Sequence, residues 1–240
     1  MLPTPPLIAS RLLLSGLGTQ MYTYYQDRVP RQGPVIVVSN HRSFMDPPVL
    51  IAAMNRTVRF ACHHYMGQVP LLREAVTRLG AFPLGAPEER QQSFFYEAVQ
   101  LLQRHQMVGI FPEGAAPMVQ ETMPTIVGKF QRGFAHLALR APIDDLVVLP
   151  VAIAAQQETV NAAMPLRALS WFDPSEPLFD QPGWHPMVFY HRVNVLFGRP
   201  LWIQANQREA YQGKQARSLV AEVTGQCQAE IQQLLHQGLY

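Results

Sequence analysis

The chain has 240 residues, of which 48% are hydrophobic and 15% are charged, and its formal net charge at pH 7 is +2. This length and composition predict a folded protein with a substantial core, and the small net charge, without a Lys/Arg cluster, argues against a nucleic-acid partner. Cys62 and Cys227 are far apart and form no C-x-x-C pattern, which argues against a disulfide framework and a zinc site.

The N-terminal segment, residues 1–30, is predicted to be an apolar, amphipathic helical segment. Residues 7–18 are apolar except for Arg11, but the run is shorter than the roughly 18 to 20 residues that a membrane-spanning helix needs. Tyrosines follow within residues 22–25, and their rings favour the membrane interface. Two interpretations stay open: a helix that lies on a membrane surface, and a helix that packs on the protein's own core.

Residues 31–240 show alternating strand and helix patterns and are predicted to form one domain. The predicted strands are 35–39, 57–62, 80–84, 107–111, 146–153 and 187–197, the last near an edge, and the predicted helices are 47–54, 69–79, 88–104, 130–139 and 219–234. This order predicts an α/β fold: a single layered domain with a central, mostly parallel sheet flanked by helices, plus the N-terminal amphipathic helix. Trp184 and Trp202 are expected to fill core rather than to contact lipid.

An ionisable pair follows the first buried strand, where residues 40–46 read N-H-R-S-F-M-D. A histidine such as His41 can act as a general base near neutral pH. A carboxylate that binds one ring nitrogen fixes the tautomer and leaves the other nitrogen to take a proton, and Asp46 is the candidate for this carboxylate. A purely structural interpretation stays open, because Asp46 with Pro47 is a strong helix start, and Ser43 with Asp46 fits a capping box.

A second motif, F-P-E-G over residues 111–114, follows the strand 107–111. It is expected by chance only about 0.003 times in a chain of this composition, so it is far more specific than the first pattern. The motif places Glu113 at the end of the sheet, where Gly114 permits close approach of a ligand. Glu113 is therefore a candidate acceptor of hydrogen bonds from substrate hydroxyls, and the alternative is an ordinary turn residue.

These motifs, in this order, resemble those of the glycerolipid acyltransferases, the glycerol-3-phosphate and 1-acylglycerol-3-phosphate O-acyltransferases. The resemblance rests on N-H-x4-D at 40–46, F-P-E-G at 111–114, a basic stretch leading into a helix at 128–138, V-V-L-P-V-A-I at 147–153 and G-R-P-L at 198–201. It implies catalysis by His41 and Asp46. The substrate-binding residues that it implies are Asn40, Glu113, Gly114, Lys129 and Arg132.

Two arginines of the family's motifs are missing from their usual places. The second motif reads G-A-F-P-L-G at 80–85 with Arg90 as the nearest arginine, and the third continues as A-A-P at 115–117 where the family has Arg-Ser. Arginine is the natural bidentate partner of a phosphate, so phosphate-free or bulky-headed acceptors are expected to compete better here than in relatives that keep both arginines. Lys129 and Arg132 either compensate or are solvated charges at a helix start.

The resemblance implies an O-acyltransferase that moves a fatty acyl group from an acyl thioester, on coenzyme A or acyl carrier protein, to a hydroxyl of a glycerolipid such as a lysophospholipid. It implies no cofactor and no metal, and no H-E-x-x-H or Cys/His ligand set occurs in the sequence. The implied partners are the acyl carrier, the lysolipid and a membrane surface, with peripheral or monotopic attachment on the cytoplasmic side. The alternatives are a different lipid acceptor, thioester hydrolysis, and an inactive lipid-binding homologue.

Overall fold

The computed structural model describes residues 4–62, 74, 80–83, 89–114, 116–171 and 177–239. The strands are β1 (Gln20–Tyr24), β2 (Val35–Ser39), β3 (Val58–Cys62), β4 (Phe82–Pro83), β5 (Met107–Ile110), β6 (Val147–Pro165), β7 (Trp184–Phe197) and β8 (Leu201–Trp202). The helices are α1 (Pro5–Gly16), α2 (Asp46–Met54), α3 (Arg90–Gln103), α4 (Ala116–Val119), α5 (Gly133–Arg140), α6 (Leu166–Ser170), α7 (Ala205–Glu209) and α8 (Gly213–Gly238), with 3₁₀ turns at Gln26–Arg28 and Pro177–Asp180. The predicted helix at 69–79 lies outside the described residues, apart from residue 74.

Within the described ranges, eight strands form one sheet in the order β1-β7-β6-β2-β5-β3-β4, and β8 pairs with β6. β2 is parallel to β5 and β6, β3 is parallel to β5 and β4, and β1 is parallel to β7, whereas β7 and β8 are antiparallel to β6. Helices cover both faces of this sheet. The predicted α/β fold with a central, mostly parallel sheet and an N-terminal helix is confirmed.

Two apolar cores lie on the two faces of the sheet, as the alternation of side chains along a strand requires. Val35 and Val37 of β2 are buried in the same core as residues of α1 and α2, whereas Ile36 and Val38 are buried with residues of α5 and α8. Because β2 and β5 are parallel and in register, their carboxyl ends lie side by side. Ligands of open α/β sheets bind outside these ends.

The N-terminal segment contributes both a helix and a strand. Leu7 and Leu14 of α1 pack into the core beside α2, while Ile8 and Leu12 are exposed. The helix ends at Gly16, and the tyrosines after it do not extend it: Tyr22 and Tyr24 belong to β1, the edge strand next to β7, and Tyr25 precedes the 3₁₀ turn Gln26–Arg28. No helix within the described ranges is long and apolar enough to cross a membrane.

β6 and β7 are longer than predicted, with 19 and 14 residues. Beyond Val151, β6 no longer pairs with β2 but stays paired with β7, which β1 flanks as far as Arg192. Past Gln157, β6 and β7 continue as a two-stranded hairpin. Trp184 begins β7 at the far end of this hairpin and is 57% exposed, and Trp202 in the short strand β8 is 51% exposed. The expectation that both tryptophans fill core is therefore wrong, because more than half of each side chain is exposed.

Candidate active site

His41 and Asp46 contact each other just beyond the carboxyl end of β2. The Nδ1 atom of His41 lies 2.8 Å from Oδ2 of Asp46, and the side chains are 19% and 1% exposed. An ionised carboxylate only accepts hydrogen bonds, so the neutral imidazole carries its proton on Nδ1 and leaves the lone pair of Nε2 free. The structure thus brings together the two residues whose spacing predicted a pair. Their catalytic role stays a prediction.

The Asp46 carboxylate also receives hydrogen bonds from the loop before it and from β7. Its Oδ2 accepts the backbone N–H groups of Arg42, at 2.7 Å, and Ser43, at 2.8 Å, and its Oδ1 accepts the Tyr190 hydroxyl at 2.8 Å. Burial, and then the neighbouring Asp46 charge, raise the pKa of Tyr190 well above its ordinary value, so its hydroxyl stays protonated and donates. The carboxylate is fixed by both the loop and the strand.

The structural interpretation of Asp46 as a helix cap is wrong. The N-cap residue of α2 is Met45, which makes no side-chain cap, and Asp46 is the first helical residue. Its carboxylate turns back toward the preceding loop instead of toward the next helical N–H groups. The capping box of Ser43 and Asp46 forms only in part: the Ser43 N–H donates to the Asp46 carboxylate, but the Ser43 hydroxyl accepts the N–H of Met45 at 3.0 Å, not that of Asp46, and donates to the Val188 carbonyl at 2.6 Å.

Aromatic stacking holds one face of the His41 ring. The His41 ring lies parallel to the Phe111 ring, with centroids 4.3 Å apart and planes at 17°. Phe111 stacks in turn on Phe60, with centroids 5.1 Å apart. Gly109 makes room for this arrangement, because a Cβ at that position would overlap the Phe60 ring. Phe111 of the F-P-E-G motif therefore orients His41, a role that the sequence interpretation missed.

Glu113 connects the two motifs through the backbone. Its Oε1 accepts the N–H of His41 at 3.0 Å and its Oε2 accepts the N–H of Gly128 at 2.7 Å, and the residue is only 6% exposed. Burial raises the pKa of Glu113 above its ordinary value, and the two backbone N–H groups offset part of this effect. These contacts hold the backbone of His41 in place. The predicted contact of Glu113 with a substrate hydroxyl stays a prediction.

Gly114 and Gly128 permit the close packing around Glu113. Gly114 has a φ of +67°, and a Cβ there would lie 2.7 Å from the side-chain nitrogen of Gln131. A Cβ on Gly128 would lie 2.6 Å from Oε2 of Glu113. Gly114 thus admits the Gln131 side chain, and its predicted role in substrate binding stays a prediction.

The remaining predicted substrate-binding residues lie in different surroundings. The Asn40 side chain is buried and exchanges two hydrogen bonds with the backbone of Ile153, at 3.0 and 2.8 Å, so it joins the loop to β6. Lys129 and Arg132 are exposed on the segment that follows Gly128. Their role as phosphate ligands stays a prediction, and the second-motif positions 84 and 85 lie outside the described residues.

Arg42, inside the first motif, forms a buried ion pair that the sequence interpretation missed. Its guanidinium binds both carboxylate oxygens of Glu158 on β6, at 2.6 and 2.8 Å, and its Nε donates to the Thr122 carbonyl at 3.0 Å. Burial disfavours the charge, but Glu158 outweighs burial and raises the pKa of Arg42 above its ordinary value. Since Arg42 is committed to Glu158, it is not a free cation for a phosphate.

Replacing Glu113 with glutamine is expected to lower the free energy of unfolding by about 1–3 kcal/mol, because one buried N–H donor, of His41 or Gly128, would face an NH₂ group. Chemical denaturation measures this loss. Glu121→Gln, at an exposed position, is the control and is expected to unfold like the wild type. A Glu113→Gln protein of unchanged stability but raised KM would instead support the predicted contact with substrate.

A histidine held by a buried carboxylate at the carboxyl end of a parallel sheet defines an α/β enzyme with a candidate general base. A family model described as Acyltransferase matches residues 21–154, more than half of the chain, and the chain belongs to this family. Its fold is similar to the crystal structure of PlsC, the 1-acyl-sn-glycerophosphate (LPA) acyltransferase from Thermotoga maritima, with 17% sequence identity, a TM-score of 0.60, and coverage of 95% of this chain and 78% of that chain. No curated protein matches the sequence. The predicted acyltransferase identity is confirmed.

Proposed function

We propose that the protein transfers a fatty acyl group from an acyl thioester to a hydroxyl of a glycerolipid, with His41 as the general base. The observation that carries the proposal is the arrangement of the imidazole: Asp46 binds Nδ1, Phe111 stacks on the ring, and the proton-accepting Nε2 is not used by either contact. The motif resemblance and the fold shared with PlsC support a glycerolipid as the acceptor.

In the proposed reaction, Nε2 of His41 takes the proton of the acceptor hydroxyl while the hydroxyl oxygen attacks the carbonyl carbon of the thioester. Asp46 stabilises the imidazolium, the new ester bond forms as the C–S bond breaks, and the imidazolium returns the proton to the leaving thiolate. Transfer is direct, in a complex of both substrates. Cys227 does not suit the role of a nucleophile for an acyl-enzyme, because it is fully buried and burial raises the pKa of its thiol to about 12.

The acyl acceptor is proposed to be bound without the arginine contacts to phosphate that relatives use. Arg42 is held by Glu158, so the cations that stay available to an acceptor phosphate are the exposed Lys129 and Arg132 on the segment after Gly128. We expect this chain to use acceptors without a phosphate, or with a bulky headgroup, more readily than relatives with both motif arginines do.

A panel of acceptors tests the proposed function and the expected preference. The purified full-length protein is given one labelled acyl chain, as the coenzyme A or the acyl carrier protein thioester, together with lysophosphatidate, lysophosphatidylcholine or monoacylglycerol. Labelled acylated lipid in any arm supports the proposal, and the ratio between arms reports the acceptor. Free fatty acid at a rate independent of acceptor would show thioester hydrolysis. Lysolipid binding without turnover in all arms would show an inactive lipid-binding homologue.

The exposed face of α1 is proposed to lie on the cytoplasmic surface of a membrane, where it presents Ile8 and Leu12. Because burying a leucine side chain contributes about 1.5–3 kcal/mol, Leu12→Gln is expected to weaken binding to vesicles of phosphatidylethanolamine and phosphatidylglycerol at least about tenfold. Co-sedimentation measures the change. Tyr96→Gln, which removes an exposed ring from α3, is the control and is expected to bind like the wild type. If Leu12→Gln bound the vesicles as tightly as the wild type and the Tyr96→Gln control do, this face of α1 would be excluded as the membrane-binding surface.

A further inference from the structure

The β6–β7 hairpin contains two compensating irregularities where it passes the loop of residues 40–46. Ala155 pairs with Val193, Gln157 with Arg192 and Glu158 with Tyr190, which leaves Gln156 and His191 outside the ladder. An extra residue in one strand re-aims the side chains that follow it, and such bulges are frequent next to active sites. Because each strand contains one extra residue, the two strands return to the same register. The side chains beyond the extra residues, however, point to the opposite face from the one that a regular strand would give them.

This change decides which residues of β7 face α2. On one side of the bulge, the odd-numbered Val193 and Val195 are buried in the core with α1 and α2, whereas on the other side the even-numbered Val188 and Tyr190 are buried in the same core. In a regular strand, residues 190 and 193 would lie on opposite faces. The bulge therefore turns the Tyr190 ring toward Asp46, which its hydroxyl reaches at 2.8 Å.

The strand partner of Tyr190 contacts the same loop. Glu158 is paired directly with Tyr190 in the ladder, and its carboxylate binds Arg42 through both oxygens. One cross-strand pair of the hairpin thus holds two points of the loop: Tyr190 holds the Asp46 carboxylate, and Glu158 holds Arg42, whose backbone N–H also donates to Asp46.

We propose that Tyr190 and Glu158 are positioning residues for acyl transfer, which fix the loop 42–46 so that Asp46 keeps the His41 ring in its reactive orientation. The proposal rests on the proposed function of His41. Neither residue belongs to a family motif matched in the sequence, and both act through another side chain. Displacement of a catalytic group by about 1 Å can lower a rate about 10²-fold, so losing either contact has a measurable effect on catalysis.

Tyr190→Phe is the sharpest test, because it removes one oxygen atom and keeps the buried ring. We expect kcat to fall about 10- to 100-fold with KM unchanged, since the Tyr190 hydroxyl is buried, acts through Asp46 and is not proposed to contact either substrate. Tyr211→Phe is the matched control: it removes a hydroxyl that contacts His136 at 2.7 Å, outside the site, and it is expected to keep the wild-type kcat.

Glu158→Gln tests the second contact in the same way. It removes the charge that pairs with Arg42, and kcat is expected to fall with KM unchanged. The matched control is Asp144→Asn, which removes the charge from the Arg208–Asp144 pair at 3.0 Å, where the Asp144 side chain is 96% exposed. Glu158→Asp, which keeps the charge, is expected to recover part of the lost rate, and it serves as the test variant if the glutamine protein does not fold.

A spectroscopic measurement separates positioning from general stability and does not depend on turnover. In protein with ¹⁵N-labelled histidine, the His41 signal is assigned by its loss in His41→Ala, and the Nδ1-bound proton reports the bond to Asp46. We expect this proton to exchange faster with water in Tyr190→Phe and Glu158→Gln than in the controls. Unchanged exchange together with unchanged kcat, or a lowered melting temperature as the only change, would overturn the proposal.

Failure of the proposed function gives a different result. If the wild type transfers no acyl group to any acceptor, the proposed function fails, and faster proton exchange in the two variants still shows that the hairpin holds the His41–Asp46 pair. If the wild type is active and the variants keep both its kcat and its proton exchange, the proposed function stands and the positioning role is refuted.

Discussion

Replacing His41 with alanine is expected to lower the rate of acyl transfer by about 10²- to 10⁴-fold, the contribution of a positioned general base. The variant removes the only part of His41 that is proposed to touch the acceptor. Its backbone N–H, which donates to Glu113, remains. The side chain is also partly exposed, so folding is expected to persist. Initial rates with a labelled thioester measure the loss, and circular dichroism checks the fold.

His136→Ala is the control for that experiment. The His136 ring also binds a partner, the Tyr211 hydroxyl, but it lies on α5 away from the loop 40–46. It is expected to keep the wild-type rate. If His41→Ala retains a substantial part of the wild-type transfer, proton transfer does not pass through this imidazole, and another group must activate the acceptor.

The strands that could be predicted from the sequence are those whose buried residues form a regular apolar pattern. The run of residues 35–39 is apolar on both faces because helices cover both, and it was predicted with the bounds that the structure gives. The extension of β6 beyond residue 153 was missed, because a two-stranded hairpin needs no continuous apolar face and Q-Q-E-T at 156–159 is polar. The bulges cannot be predicted either, because a bulge changes the face to which the side chains point but leaves no turn signal in the sequence.

The candidate site shows the same limit. The positions of His41, Asp46 and Glu113 at strand ends could be predicted, because strand ends follow from the local pattern. The partners of these side chains could not, since Glu113 binds the N–H of a residue 15 positions away and Asp46 binds a hydroxyl 144 positions away. Such contacts depend on tertiary packing, to which a single sequence gives no local signal.

Asp46→Asn is expected to lower kcat by at most about 10⁴-fold, the loss that the same substitution causes in a Ser-His-Asp triad, where the histidine also takes the wrong tautomer. An asparagine oxygen in place of Oδ2 can still accept the N–H groups of Arg42 and Ser43. Its NH₂ group can donate to the Tyr190 hydroxyl, so the loop is expected to fold. The variant therefore removes the charge that stabilises the imidazolium and keeps the position of the side chain.

Asp144→Asn, at a surface carboxylate, is the control for this substitution, and steady-state kinetics with a thermal melt are the measurement. A kcat within about tenfold of the wild type would mean that Asp46 only orients the loop, because a neutral amide would then serve as well. Comparison with Tyr190→Phe separates the two contributions. Asp46→Asn keeps position and removes charge, whereas Tyr190→Phe keeps charge and loosens position, so the larger loss identifies the contribution on which the reaction depends more.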